Sequence, residues 1–469
     1  MPAGREYADV AEVPVRPEQA TVYELGWQSW SPAGRYSADT TSPRPARPLW
    51  QLMGFRPDRP PPAQGFQGEG LLAVEEPGGV VRIWSAVEPT VQVPSIRAQA
   101  LPDRIVVSAD GPVTESAFAG SMPDALAGWA QGLAGRLELP PVPSLPPIWC
   151  SWYEYWGGVT ERDVADNLTA IDRLGLDVGV VQVDDGHQEE IGDWVSRSPR
   201  FGPLRDLAGR IRDTGRRAGV WTAPFLVGAR SRVAAEHPDW LVGDLDGADR
   251  PLLAAQHWTQ DVYVLDTSHP GAQEHLVRVF ATLAAEGYSF FKIDFLYAGA
   301  QAGRRYADLD DVGAYRQGLS LIRGAVGSAA TILGCGAPLL PSLGLVDAMR
   351  ISPDVDAAYQ PPLGDVSQPG GLSAIRNGRS RAFLHGRFWV NDPDCALVRP
   401  AVAFRDELAE HVVATGGLAG ASDSLAALDP HGVDLLRQVL RPSSPDPVRW
   451  DPDGGGEQGV VVMQRRASC

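Results

Sequence analysis

The chain has 469 residues, is 44% hydrophobic and 21% charged, and carries a net charge of −17; this length points to two or three domains, and the acidic balance argues against nucleic acid and anionic membranes as partners. No uninterrupted apolar window reaches membrane-spanning length, and Met1-Pro2-Ala3-Gly4-Arg5-Glu6-Tyr7 lacks the apolar core of a secretory signal. Cys150, Cys335, Cys395 and Cys469 form no CxxC pair, and the 8 histidines show no HExxH spacing, so the expectation is free thiols in a reducing cytoplasm, with no metal and no cofactor.

Residues 1–139 read as β-rich. Thr21 to Trp30 alternates and is rich in aromatic and β-branched residues. A loop dense in Pro and Arg follows from Ser42 to Gln64. Short strands are then expected at Gly70–Val74, Val80–Ala86, Thr90–Val93, Ile105–Ser108 and Val113–Phe118, a spacing that suggests a β-sandwich. Met122 to Leu137 looks helical. The run Pro140-Pro141-Val142-Pro143-Ser144-Leu145-Pro146-Pro147 reads as a stiff linker.

From residue 148 to 440 strands and helices alternate. Thr160, with Asp163 three residues on, has the spacing of a capping box, and Gly175 supplies a stop. Leu226 to Thr267 is longer than a barrel loop needs and reads as a lid or a site wall. Pro270 opens a further helix. Counting Pro147–Tyr153, Val178–Val183, Gly219–Phe225, Phe290–Phe295, Thr331–Cys335, Ala348–Ser352, Phe388–Val390 and Leu418–Ala421 gives eight strands, hence an α/β fold with a (β/α)8 barrel. Residues 441–469 leave room only for a vestigial C-terminal β segment.

A barrel of this kind puts its site at the C-terminal strand ends. Phe290-Phe291-Lys292-Ile293-Asp294-Phe295 carries two opposite charges on one face of an apolar strand, either a structural ion pair or a site carboxylate kept ionised by its neighbour. Acidic residues recur after strands two (Asp184, Asp185), six (Asp354, after Arg350) and seven (Asp392, Asp394), with tryptophans at Trp152, Trp221 and Trp389. Carboxylates accept hydroxyl hydrogens and aromatic faces cover the apolar side of a sugar ring, so the rim suits a small carbohydrate. Two carboxylates with a sugar suggest glycoside hydrolysis.

At Trp149-Cys150-Ser151-Trp152-Tyr153, Gln182-Val183-Asp184-Asp185-Gly186, Gly192-Asp193-Trp194, Ala223-Pro224-Phe225-Leu226-Val227, Phe291-Lys292-Ile293-Asp294-Phe295, Arg350-Ile351-Ser352-Pro353-Asp354 and Trp389-Val390-Asn391-Asp392-Pro393-Asp394 the chain resembles glycoside hydrolase family 36, of the clan that holds the family 27 α-galactosidases. Gly26-Trp27-Gln28-Ser29-Trp30-Ser31 resembles the N-terminal domain of bacterial members. The resemblance implies a retaining α-galactosidase with Asp294 as nucleophile and Asp354 as acid/base. It implies sugar contacts at Trp152, Asp184, Asp185, Lys292, Cys335 and Arg350, and the strand ends add Trp221, Trp389 and Asp392. It is compatible with a homo-oligomer, since family members often close the site with a neighbouring subunit's N-terminal loop. His187 stands where many α-galactosidases have tryptophan, and both flanking domains are short for the family. Competing readings are a raffinose-synthase-like α-galactosyl transferase, a hydrolase for another α-sugar, a Schiff-base aldolase using Lys292, and a sugar-binding protein without catalysis.

Overall fold

The computed structural model describes residues 6–245 and 250–447. Near the N-terminus two antiparallel sheets form. One pairs Ala8–Val13, Arg104–Ala109, Ser95–Leu101 and Phe66–Glu69 in that order; the other pairs Gly34–Ser37, Thr21–Glu24, Leu71–Glu76, Val80–Ala86 and Val113–Ala119. Alternation gives the second sheet two apolar faces. Val22, Leu72, Val74 and Trp84 pack with Phe66, Ile96 and Val107 of the first sheet. Tyr23, Ala73, Val81 and Ile83 face Leu126, Trp129 and Leu133 of helix Met122–Arg136 and the rest of the core.

Two expectations shift here. Thr90–Val93 is a turn rather than a strand, and pairing falls on Ser95–Leu101; the Val93 carbonyl is taken by the guanidiniums of Arg56 and Arg59, both at 2.7 Å, so it is lost to any ladder. The strand opening at Thr21 ends at Glu24, and residues 26–31 leave the sheet to reach the second half of the chain.

That half is built on one nine-stranded parallel sheet. Its central run, Ile148–Cys150, Val180–Val183, Arg217–Thr222, Tyr288–Ile293, Thr331–Gly334 and Ala348–Arg350, follows chain order. At one end lies Val390–Asp392; at the other lie Gly420–Ala421 and Cys395–Ala396. The two edge pieces Val390–Asp392 and Cys395–Ala396 are separated only by Pro393 and Asp394, so the sheet curls into a barrel-like form. Helices follow the strands where capping residues predict them. Thr160 and Asp163 make a reciprocal capping box on helix Glu161–Leu174, and Gly175 closes it at φ 62°.

Inside the curl, period-two alternation sorts residues into layers. Ile148, Val180, Phe290, Leu333, Ala348, Val390 and Leu418 make an apolar floor. One step up the strands come Gln182, Lys292, Arg350 and Asp392, and a step further Asp184, Asp294 and Asp394, all buried. The Leu226–Thr267 stretch folds as a small antiparallel sheet of Leu226–Gly228, Gln260–Val264 and Leu253–His257, with helix Arg232–Glu236. Among the described residues no helix is long and apolar enough to cross a membrane, and no group of three or more His, Cys, Asp or Glu is placed to hold a metal. Of the C-terminal segment expected at 441–469, residues 448 onward lie outside the described residues.

Candidate active site

The fourth barrel strand delivers Lys292 and Asp294 on one face, but they are not each other's partners. Lys292 Nζ bonds Asp184 Oδ2 at 2.9 Å, reaching past the intervening strand to the second one. The side-by-side ion pair is thus corrected: a long lysine stem reaches a neighbour across the mouth more readily than a residue two places along its own strand. Burial works against both charges, but the pair outweighs it, holding Asp184 below the usual carboxylate range and Lys292 well above the usual ammonium range. Gln182 Nε2 at 2.7 Å and the Cys150 thiol at 3.3 Å also donate to Asp184. An ammonium so held makes a poor Schiff-base amine.

Asp294 is satisfied differently. Trp221 Nε1 donates to Oδ2 at 3.0 Å and the Phe295 amide to Oδ1 at 2.7 Å. Phe295 lies at φ 51°, in the left-handed region, and this turn folds its N–H back onto the preceding side chain. Both contacts hold the carboxylate in a fixed orientation.

At the second strand end Asp185 accepts from Gln188 Nε2 at 2.6 Å and from the Trp258 indole at 2.7 Å. Gly186, at φ 115°, lets the chain turn there; a Cβ would stand 2.7 Å from the Gly157 carbonyl. His187 is buried and donates from Nε2 to the Trp221 carbonyl at 2.8 Å, and burial lowers its proton affinity. It lies behind Trp221.

The sixth and seventh strand ends meet at Arg350. Its Nε donates to Asp392 Oδ2 at 3.0 Å, its Nη1 to both Asp354 Oδ1 and Asp394 Oδ2 at 2.9 Å, and its Nη2 lies 2.9 Å from Asp394 Oδ1. Asp394 also accepts the Tyr153 hydroxyl and, at 2.9 Å, the Val355 amide. Asp354 is pushed up by burial and by the charges of Asp294 and Asp184, against the pull of Arg350 and Lys292. Asp354 thus lies near enough to Asp294, Asp184 and Lys292 to feel their charges.

Among the aromatic residues, Trp152 packs edge-on against Trp156 at 4.9 Å between ring centres. Trp221 faces Trp258 and Trp194. Cys335 is buried with Trp30 and Tyr297, and burial raises its thiol well above the usual range. Trp389 is corrected: it is 1% exposed, packs on Phe388 and donates to Asn391 Oδ1. It shares alternation with Asn391, on the outer side of the strand, whereas Asp392 points in. Trp27 stays in the core beneath Arg56. Trp30 reaches further, packing on Phe295 and Tyr297, with an indole N–H that has no partner. The sequence reading missed Trp258 and Tyr153. Trp258 carried one usable signal, an aromatic residue inside an overlong insertion.

Residues 160–321 match the melibiase family model. An α-galactosidase from Thermus thermophilus, solved in complex with stachyose, is similar with a TM-score of 0.77 and 28% identity over 93% of this chain and 94% of its own. The family 36 α-galactosidase AgaA from Geobacillus stearothermophilus, at 14% identity, shares the fold with a TM-score of 0.63 over 92% of this chain and 61% of its own. α-Galactosidase 2 from Pediococcus pentosaceus is 26% identical over 153 residues, 31% of this chain. The match covers 20% of that longer protein.

Proposed function

From its place in the melibiase family, with the glycoside hydrolases of family 36, we infer that the chain hydrolyses terminal α-galactosides with net retention. The observation that carries this is a pair of carboxylates close enough for the charge of Asp294 to act on Asp354, each held by different groups. Asp294 is held by two N–H donors, at 3.0 and 2.7 Å, while Asp354 is pushed toward protonation by burial and by like charges. A fixed carboxylate beside one that tends to hold its proton suits the two roles of a double displacement. Asp294 attacks the anomeric carbon as Asp354 gives its proton to the leaving oxygen. Asp354 then takes a proton from water, whose oxygen displaces Asp294.

The sugar is read by the groups around this pair: the Lys292–Asp184 couple, Asp185, Arg350 and Asp392, with Trp152, Trp221 and Cys335 as walls. Trp389 has no part in it. The architecture is taken as a (β/α)8 barrel over 148–440, behind a sandwich over 1–139 and the linker 140–147. The described cysteines are unpaired, which fits a cytoplasmic setting.

The test is Asp294→Ala on a p-nitrophenyl α-galactoside. Turnover should fall by roughly 10³-fold or more, and azide should restore part of it by forming the β-galactosyl azide. Near-normal turnover in Asp294→Ala, or a first product with inverted configuration by NMR, would overturn the reading.

A further inference from the structure

We propose that Asp394 is a positioning residue that governs the proton on Asp354, through a shared arginine and a shared piece of backbone. The proposal rests on the hydrolase reading above.

Asp394 sits at the break in the seventh strand, at φ 77°. A non-glycine residue there is strained and persists only where its surroundings over-determine it. Here they do. The side chain is buried, and the Tyr153 hydroxyl, the Val355 amide, both Arg350 terminal nitrogens and the Cys395 amide, the last at 2.7 Å, all point at its two oxygens. Burial raises Asp394 to about 6, but the five donors work against that rise, so at neutral pH the arrangement suits the carboxylate.

Two of those contacts lead to Asp354. Val355 is the next residue, so the bond to its amide fixes the backbone that carries Asp354. Arg350 Nη1 serves both carboxylates at 2.9 Å, so Asp354 and Asp394 compete for one cation. With Asp392 on Nε, a single positive charge faces three negative ones. The surplus raises proton affinity where a proton can arrive. The Asp354 side chain is 31% exposed, against 5% for Asp392 and 0% for Asp394. Lys292 and Asp294 from the fourth strand, Asp184 from the second, Cys335 from the fifth, and Cys150, Tyr153 and Cys395 beside Asp394 complete the titratable surroundings. Asp394 touches the sugar in no step of the mechanism above.

Asp394→Asn keeps the shape and an acceptor oxygen but removes the charge. Arg350 then pairs more fully with Asp354, and Asp354 loses its proton at lower pH. In kcat/KM profiles the basic limb should move down by about one pH unit. At pH 7 an alkyl α-galactoside, whose leaving oxygen needs the proton, should lose about 10- to 100-fold more than a p-nitrophenyl one. An unmoved limb with equal losses on both substrates would overturn the proposal, leaving Asp394 a purely structural residue. Should Asp394→Asn fail to fold, Tyr153→Phe tests the same idea with the opposite sign. Losing one donor strengthens the Asp394 claim on Arg350, so the limb should move up, and an unmoved limb counts against the proposal. Wild type sets the control. If it cleaves neither galactoside, the hydrolase reading falls first; if it cleaves both and the limb stays put, only the Asp394 role falls.

Discussion

Lys292 and Asp184 pair with side chains 5% and 2% exposed. Removing one partner of such a pair strands a buried charge, at a cost of about 3–5 kcal/mol, whereas neutralising both is close to neutral. Lys292→Met should therefore lower the melting temperature sharply, and adding Asp184→Asn should recover most of the loss without restoring turnover. Thermal melts of the single and double variants check this; a single variant as stable as the double would show the pair carries no buried charge. The sequence made the two charges of the Phe290–Phe295 strand visible, because alternation alone puts them on one face. It hid their partners, because side-chain length and the curl of the sheet decide those. Trp389 failed for a related reason: a one-residue offset along a strand turns a rim residue into a core residue, and strand boundaries are the least legible part of a sequence.

At the scale of elements, hairpin Leu253–His257 to Gln260–Val264 turns on Trp258 and Thr259, at φ 50° and 58°. Two-residue hairpin turns with both central residues in the left-handed region favour Asn-Gly, and a β-branched threonine there is strained. The bond from the Trp258 indole to Asp185 and its ring contacts with Phe295 and Trp221 explain why the turn tolerates it: the tip is held against the site. Thr259→Gly should stabilise the hairpin by about 1 kcal/mol, read as slower proteolytic nicking at the tip. Trp258→Phe keeps a ring but removes the donor, and should raise KM for a p-nitrophenyl α-galactoside more than it lowers kcat. Equal KM in Trp258→Phe and wild type would place the tip outside the binding site. The insertion was legible from its length alone. Its pairing was not, because nothing local marks Trp258-Thr259 as a turn. Helix starts were legible where a cap is local, as at Thr160 and Pro270.

Across the whole molecule, the two halves meet where residues 26–31 lie on the barrel mouth. Arg381 is buried and donates to the carbonyls of Gln28, Ser29, Ser31 and Ile351, and Asn377 accepts the Ala33 amide. This seam brings Trp30 beside Cys335 from the same chain. Length pointed to two or three domains but could not point to the seam, since its acceptors are backbone carbonyls that any sequence supplies. Burial on this scale also sets how stability responds to pH. Burial raises Glu24 to about 7 and Asp394 to about 6, while it lowers His275 to about 4 and His411 to about 3. The signs oppose. A carboxylate raised on folding binds its proton more tightly in the native state, so its contribution is present at low pH and lost as pH rises through 7 or 6. A depressed histidine contributes above its unfolded value near 6.5 and loses that contribution as pH falls toward 4 or 3. From roughly pH 6.5 to 5 the two sets nearly cancel, so stability should be flat there and fall below about pH 4.5, where the histidines still gain protons on unfolding. Glu24→Gln keeps an acceptor for the Gln67 amide, which bonds Glu24 at 2.8 Å, but removes one compensating proton. Its stability should slope downward through the former plateau, by about 1.4 kcal/mol per pH unit. Melting temperatures of wild type and Glu24→Gln from pH 7 to 4 decide the matter. Parallel curves would mean that Glu24 is ionised in the folded protein and that the acid side is set elsewhere.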